Sequence, residues 1–350
     1  MKDNITIGMD LGDRRHVAVV LDSKGDEIET VTVTNTIKGL DRFFKGYRDA
    51  TVAIEAGTHS PWISRQLEQI GCTVYVGNPR KLRLIWDSHE KSDLNDARIL
   101  AMVCRVEPRL LWPVKHRSEQ SYADLETIKA RDALVRSRTR LINHVRSSVK
   151  TTGHRISGCS AASFAHKASA TMPASLKETL KPIIETIGQL TAQVKVLDRQ
   201  IDWLCKHRYP ESQYLRQVPG VGPITALAYI LMIEDPHRFD SSRQVGAYLG
   251  LVPRRDQSGA SDKQLRISKA GNPYLRRLLI SCARYILGPF GPDSDLRRHG
   301  IAIAARGGKN ANKRAAVAVA RKLSVILHRL WMDRESYQSF RRPTAVKQAA

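Results

Sequence analysis

Apolar and polar positions alternate in short blocks along the first hundred residues. Segments rich in Val, Ile and Thr at residues 5–12, 16–22 and 28–35 are separated by short polar turns, which predicts three successive antiparallel strands. Two more apolar segments, at 51–57 and 72–78, alternate with helical patterns. The order βββαβαβα predicts a mixed sheet flanked by helices, an α/β fold.

The apolar spacing becomes helical after residue 118. Residues 118–150 combine one apolar face with a basic face that suits either solvent or nucleic acid. Residues 151–174 are small and polar, which predicts a linker or mobile loop. Next comes a seam with unbroken 4-3 spacing, which predicts one long coiled-coil helix: Leu176, Leu180, Ile183, Ile187, Leu190, Val194, Leu197, Ile201 and Leu204. Its partner helix belongs to the same chain or to a second subunit, and we favour self-association.

A glycine-rich turn follows the coiled-coil helix. The residues "PGVGP" at 219–223 stand between two helical patterns, as in a helix-hairpin-helix element. Backbone amides at Gly220 and Gly222 could meet a phosphate there. A turn between two core helices would give the same pattern, so both interpretations stay open.

These patterns divide the chain into five parts. We expect an α/β domain at 1–112, a basic helical region with a flexible linker at 113–174, and a coiled-coil helix at 175–208. A mainly helical domain at 209–340 and a tail at 341–350 complete the chain.

Charge is distributed unevenly over these parts. The net charge is +23 at pH 7, yet residues 1–112 hold 16 Lys and Arg against 16 Asp and Glu. Residues 251–350 hold 21 basic against six acidic side chains. DNA or RNA is the partner that such basicity favours, because clustered cations release counterions from phosphates. Ribosomal or merely solubilising basicity is the alternative.

No segment predicts membrane insertion or export. Charges interrupt every apolar stretch before the roughly 18 residues that a spanning helix needs, and the first residues lack the core of a signal peptide. The five cysteines are scattered singly, which favours neither a zinc cluster nor a disulfide framework. We therefore expect a cytoplasmic protein with no membrane partner.

Four carboxylates suggest a metal site. Asp10 ends the first predicted strand, Glu55 ends the fourth, and Asp93 with Asp96 opens a helix in the segment "DLNDARILA". Their oxygens would suit Mg²⁺ or Mn²⁺, with two ions about 4 Å apart, as in phosphodiester chemistry. Aspartate is also a frequent helix cap, so Asp93 alone has a simpler interpretation.

The same residues resemble a known family. The N-terminal part resembles the RuvC-like, RNase H-like domain of the DEDD transposases of bacterial insertion sequences. The C-terminal part, from "VPGVGPITALAYI" to "KAGNPYLRRLL", is similar to the transposase domain that follows it in that family. The resemblance covers nearly the whole chain in the right order.

This resemblance implies a composite active site. Asp10, Glu55, Asp93 and Asp96 would be the metal-binding catalytic carboxylates, and Ser258 in "RRDQSGAS" the nucleophile that links covalently to DNA. Ser261 is a nearby alternative. The resemblance also implies a structured non-coding guide (bridge) RNA that pairs with donor and target DNA. A dimer, or a tetramer in the synaptic complex, would perform the exchange.

Basic residues surround the predicted nucleophile. The candidates for phosphate contact are Arg254, Arg255, Lys269, Arg276 and Arg277, with Lys263 and Arg266 beside them. Such contacts would hold the nucleic-acid backbone without reading bases.

Two other functions remain open from the sequence. A hydrolytic RuvC-like nuclease would cut branched DNA without a covalent intermediate, leaving Ser258 as an ordinary turn residue. A non-enzymatic scaffold would use the coiled coil and the basic C-terminal part to bind nucleic acid, and its carboxylates would be dispensable.

Overall fold

The computed structural model describes residues 5–82, 92–258 and 261–340, and the side chains of 261–264 lie outside the description, as does the predicted tail. It divides into two compact units, residues 1–118 and 119–350. The first unit extends six residues beyond the predicted boundary at 112. The reason is a backbone hydrogen bond that Val114 N donates to Val76 O at 2.8 Å, which ties this segment to the sheet.

The N-terminal unit contains a five-stranded mixed sheet in the order β3-β2-β1-β4-β5. Strands β1, β2 and β3 are antiparallel neighbours, whereas β4 is parallel to both β1 and β5. The strands are β1 Thr6–Leu11, β2 Arg15–Leu21, β3 Glu27–Thr34, β4 Thr51–Glu55 and β5 Thr73–Gly77. This confirms the predicted mixed sheet, which has the RNase H-like arrangement with β1 beside β4.

Helices cover both faces of this sheet. On one face, α1 (Ile37–Phe44) and α2 (Ser60–Ile70) bury Phe44 and Leu67 against the strands. On the other face, α3 (Asp93–Val106) contributes buried small and apolar residues. Apolar burial on both faces is what makes the inner strands nearly continuous hydrophobic runs.

The C-terminal unit begins with two long paired helices, α4 (Glu119–Thr151) and α6 (Ala174–His207). Five of the predicted seam positions on α6 are buried: Leu180, Ile187, Val194, Ile201 and Leu204. An ion pair between Arg131 and Asp198 at 2.5 Å crosses the pair of helices. The partner of the predicted coiled-coil seam is therefore α4 of the same chain.

Residues 151–174, for which the composition predicts a linker or mobile loop, include a helix and buried residues. They contain helix α5 (Phe164–Thr171), and Ile156, Phe164 and Ala168 are buried in a cluster with residues of α4 and α6. Small polar residues around these three apolar positions hide the helical spacing from a sequence-based prediction.

Short helices and a hairpin complete the C-terminal unit. The elements are α7 Ser212–Arg216, α8 Pro223–Ile233, α9 Gln244–Tyr248, β6 Pro253–Ser258, β7 Ser261–Ile267, α10 Pro273–Leu287, α11 Asp295–Ala304 and α12 Ala311–Asp333. Helix α8 lies at the centre of the core, where the Tyr229 hydroxyl donates to Ser324 O at 2.6 Å. The mainly helical character predicted for this part is confirmed.

None of the described helices is both long enough and apolar enough to cross a lipid bilayer. The five cysteines are all free thiols. Burial raises the pKa of the Cys104 thiol to about 12, so this cysteine stays protonated inside the core.

Candidate active site

Strand pairing places Asp10 and Glu55 side by side. Strands β1 and β4 run parallel, and Met9 pairs with Ile54 at the last registered position. Asp10 and Glu55 are the next residue of each strand. Because the carboxyl ends of parallel strands meet at one edge of a sheet, both carboxylates lie at the same edge.

Both carboxylates also lie on the face of the sheet that α3 covers. Side chains alternate along a strand, so Asp10 shares a face with Gly8, and Glu55 shares one with Ala53, which pairs with Gly8. A Cβ added at Gly8 would lie 2.0 Å from Ala97 O, so the backbone of α3 rests directly on β1. Only glycine permits this close approach.

Helix α3 carries the other two carboxylates toward the same edge. Asp93 and Asp96 are in its first turn, and Asp96 is buried. Asp93 stands four residues before Ala97, the residue over β1. Asp96 stands four residues before Leu100, which packs in one cluster with Ala53 of β4. Residues four apart share a helix face. Asp93 therefore lies on the side of α3 that contacts β1, and Asp96 lies on the side that contacts β4.

The helix cap is a different residue. Ser92 precedes α3, and its Oγ accepts a hydrogen bond from Asn95 N at 3.2 Å. Since Ser92 takes the capping position, capping does not account for Asp93. Both aspartates instead stand at the positive end of the helix dipole, which favours carboxylates there.

The donor chemistry of this edge matches a hard divalent cation. Four carboxylates on two strand ends and one helix turn offer the oxygen ligands that Mg²⁺ and Mn²⁺ prefer. In the described parts of the chain, however, no three or more His, Cys, Asp or Glu side chains are grouped closely enough to hold an ion. The backbone therefore brings the four residues to one edge, while their side chains do not form a closed ligand cluster.

The sequence-based prediction missed a histidine at this edge. His59 lies in the connection after β4, and its Nε2 is 3.4 Å from Asp13 Oδ1, in the connection after β1. Trp62 Nε1 donates to the other ring nitrogen of His59 at 3.5 Å. The segment "EAGTHS", which places a histidine four residues after Glu55, was the available signal.

Ser258 lies at the tip of a two-stranded hairpin in the other unit. It is the last residue of β6 and pairs with Ser261, the first residue of β7. Every residue of β6 is exposed. Ser258 therefore stands at a strand end, and the side chain of Ser261 lies outside the described residues.

Arg276 of α10 fixes the base of this hairpin. Its Nη1 donates to Leu249 O at 3.0 Å, before β6, and to Ala270 O at 2.5 Å, after β7. A Cβ at Gly271, which has a φ of +68°, would lie 2.1 Å from Tyr248 O. Arg276 and the close backbone contact therefore hold both ends of the hairpin together.

The other predicted contact residues have varied surroundings. Arg254 and Arg255 are exposed on β6, and Lys269 is exposed at the base of the hairpin. Arg277 Nη2 donates to Asp132 Oδ1 at 2.7 Å. These positions remain candidates for phosphate contact.

The predicted glycine turn joins α7 to α8. Gly220 has a φ of +86°, and a Cβ there would lie 2.7 Å from Tyr285 Cδ1. Gly222 precedes the first residue of α8 and is exposed. Gly220 thus serves packing and backbone conformation, and phosphate contact by either glycine stays a prediction.

Two family models match the chain. Residues 7–153, which include all four carboxylates, match the model DEDD_Tnp_IS110, described as a transposase. Residues 212–295, which include Ser258 and the hairpin, match the model described as the transposase IS116/IS110/IS902 family. The fold and both matches define a transposase of insertion sequences.

Curated relatives agree with these matches. The chain is 31% identical to a probable family 20 transposase of Pseudomonas aeruginosa, over 73% of the chain and 76% of the relative. It is also 31% identical to the transposase for insertion sequence element IS1111A of Coxiella burnetii, over 71% and 68%. A putative transposase of Sinorhizobium fredii is 30% identical over 85% and 76%. The chain belongs to the IS110 family of DEDD transposases, enzymes that cut and recombine DNA.

Proposed function

We propose that this transposase exchanges DNA strands through two separate sets of residues, the carboxylates of the sheet edge and the hydroxyl of Ser258. The observation that carries the proposal is the common placement of Asp10, Glu55, Asp93 and Asp96 on the face of the sheet that α3 covers. Four carboxylates in one place repel each other unless cations neutralise them.

The carboxylates would hold one or two Mg²⁺ or Mn²⁺ ions, which stabilise charge on phosphate oxygens when bound. Ser258 Oγ would form a bond to phosphorus while the bond from phosphorus to the leaving sugar oxygen breaks. The proton of the hydroxyl passes to a carboxylate, and the leaving oxygen takes up a proton. Serine is a weak nucleophile at its ordinary pKa, so a neighbouring base is essential.

Sequence choice would belong to a structured non-coding guide RNA. The exposed cations of β6, Arg254 and Arg255, support contacts with a phosphate backbone but carry no base-specific geometry. The family resemblance supplies the RNA in this proposal. Delegating recognition to base pairing agrees with the excess of basic residues in the C-terminal part of the chain, which suits phosphate contacts.

The active form would be a homo-oligomer, a dimer or a tetramer. Helix α6 exposes Val196 and Trp203, 45% and 51% accessible, on a side away from its buried seam. They are seven residues apart, so they lie on one helix face and offer an apolar stripe to another subunit.

Reconstitution tests the proposal. Purified protein is combined with the cognate RNA, donor DNA, target DNA and Mg²⁺, and recombinant junctions are measured by sequencing. We expect junctions only when RNA and metal are both present, and none with Asp10→Asn. Junctions that form without RNA would contradict the guide. Cutting without strand exchange would identify a hydrolytic nuclease, and activity after replacing all four carboxylates would identify a scaffold.

A further inference from the structure

A groove in the C-terminal unit has no place in the chemistry described above. It lies among the end of α10, the end of α11 and the start of α12, with a volume of about 500 Å³. Leu287, Ile301 and Ala304 line it, and Ile301 is 48% exposed. A volume of this size is in the range of small-molecule sites, about 300–1,000 Å³.

The polar lining of the groove is basic. Arg284 of α10 and Lys313 of α12 supply two cations, and Asn312 supplies an amide that can donate and accept hydrogen bonds. All three side chains are exposed. An apolar wall with two cations and one amide matches the three parts of a nucleotide: a base face, a phosphate and a base edge.

The surrounding chain gives the groove a positive potential. From residue 263 to residue 332, Asp293 and Asp295 are the only acidic residues in the sequence. Asp293 is paired with Arg298 at 2.6 Å, and Asp295 begins α11, whereas Ile301 and Ala304 are in its second half. An anionic occupant is therefore favoured over a cationic one.

Tight packing fixes the walls. A Cβ at Gly300 would lie 2.5 Å from Leu287 Cδ2 and 2.5 Å from Val319 Cγ2, so α10, α11 and α12 approach closely beneath the groove. At the rim, Arg314 Nη2 donates to Gly307 O at 2.7 Å and holds the turn between α11 and α12. The groove is thus formed before any ligand binds.

We propose that this groove binds one unpaired nucleotide of a single-stranded segment. The phosphate lies between Arg284 and Lys313, the base packs on Ile301, and Asn312 meets the base edge. The inference deepens the proposed function, on which it rests, by assigning a site to the nucleic acid. A smaller groove of about 380 Å³ lies along α10 and also contains Arg284, together with Arg277 and Ser281. In this proposal it binds the neighbouring phosphate of the strand.

Oligonucleotides with and without bases test the proposal. The full-length protein is titrated with a short oligothymidylate and with an abasic oligomer carrying the same number of phosphates. The natural protein should bind the thymidylate about tenfold more tightly, because its base buries apolar surface against Ile301. Ile301→Ser should lose this preference and keep its affinity for the abasic oligomer.

Charge variants and controls complete the test. Arg284→Ala and Lys313→Ala should each weaken binding of both oligomers. Each variant should also make the slope of log K against log salt concentration shallower by about 0.7, the value for one phosphate contact on a single strand. The matched control is Arg329→Ala, also on α12, whose side chain pairs with Asp333 instead. Oligouridylate in a parallel titration separates RNA from DNA as the source of the strand. Melting temperatures confirm that each variant is folded.

Two outcomes would overturn the proposal. Equal affinity of the natural protein for both oligomers would mean that the groove contacts phosphates only and binds no base. A base preference that survives in Ile301→Ser would place the base elsewhere. The titrations contain no divalent metal and no target DNA, so they measure binding to the groove apart from strand exchange. Failure of the proposed strand exchange would leave these results unchanged.

Discussion

The carboxylate edge and the serine hairpin are built on opposite principles. Asp10 and Glu55 directly follow Met9 and Ile54, two completely buried strand residues, and the backbone of α3 lies directly against Gly8 of β1. Ser258 ends a hairpin whose first strand is exposed along its whole length. One set of residues follows buried strand positions under a closely packed helix, and the other stands at the end of an exposed, two-stranded hairpin.

This difference suits the two proposed roles, metal binding by the carboxylates and nucleophilic attack by Ser258. The proposed metal ligands would tolerate little displacement, so a core that sets their positions before binding is an advantage. The proposed nucleophile would have to reach a nucleic-acid backbone, for which an exposed strand end is an advantage. Its accuracy then depends on the base of the hairpin, where Arg276 and Gly271 act. Substitutions can test each half of the comparison separately.

The largest effect is expected at Gly8. In Gly8→Ala the new Cβ would collide with Ala97 O, so α3 must move and the unfolding free energy should fall by about 3 kcal/mol. Thermal unfolding measures the change, and DNA cutting should be lost with it. Gly46→Ala is the matched control, since no atom lies within 4 Å of a Cβ there. Equal melting temperatures of the two variants would refute the close backbone contact.

Asp96→Asn should reduce strand cutting by about a hundredfold or more. The substitution removes the negative charge of one proposed metal ligand, and charge stabilisation by a bound metal ion is worth several kcal/mol. The fold should persist, since the amide has the same shape. Quantified cutting under Mg²⁺ measures the loss, and Asp26→Asn, an exposed carboxylate in a turn, is the control. Full activity of Asp96→Asn would remove this residue from the site.

Arg276→Gln should loosen the hairpin and leave the carboxylate edge unchanged. Loss of the guanidinium bonds to Leu249 O and Ala270 O should cost about 1–2 kcal/mol locally. Hydrogen exchange of the amides in β6 and β7 should accelerate, and strand exchange should fall about tenfold. Arg298→Gln, an exposed arginine of α11, serves as the control. Unchanged exchange of the hairpin amides would contradict the role given to Arg276.

The smallest effect concerns an ion pair that ties α3 to β3. Arg98 Nε donates to Glu27 Oε2 at 2.8 Å, and this bond lowers the pKa of the Glu27 carboxyl. A lowered pKa contributes stability above the ordinary carboxyl pKa, and that contribution is lost as acid protonates the folded state. Glu27→Gln should therefore lower the free energy of unfolding by less than about 1 kcal/mol near neutral pH. Chemical denaturation at neutral and acid pH should show the difference vanish in acid; a constant difference would contradict the assignment.

Local patterns predicted the N-terminal unit well. Alternation with period two predicts the strands, and the placement of Glu55 at the end of β4 and of Asp10 one residue before the end of β1 depends only on neighbouring residues. The capping residue Ser92 and the two aspartates that follow it predict the start of helix α3. The contact through Gly8 could not be predicted, since it joins residues nearly ninety positions apart.

The C-terminal unit shows where such prediction stops. Strand β6 reads "PRRDQS", which lacks both apolar alternation and β-branched residues, so its pairing depends on the anchored base. Helix α5 is stabilised by Phe164 and Ala168, which are buried against residues of α4 and α6. The bonds from Arg276 to carbonyls likewise exist only once the fold has formed.

The most direct test of the account is the chemical identity of the protein–DNA intermediate. Complete reactions are stopped in denaturant, and DNA that remains bound to protein is isolated and mapped by mass spectrometry of its peptides. Strand exchange through Ser258 predicts a phosphoserine link at Ser258 in the natural protein and in Ser261→Ala, and no adduct in Ser258→Ala. An adduct that persists in Ser258→Ala would contradict it.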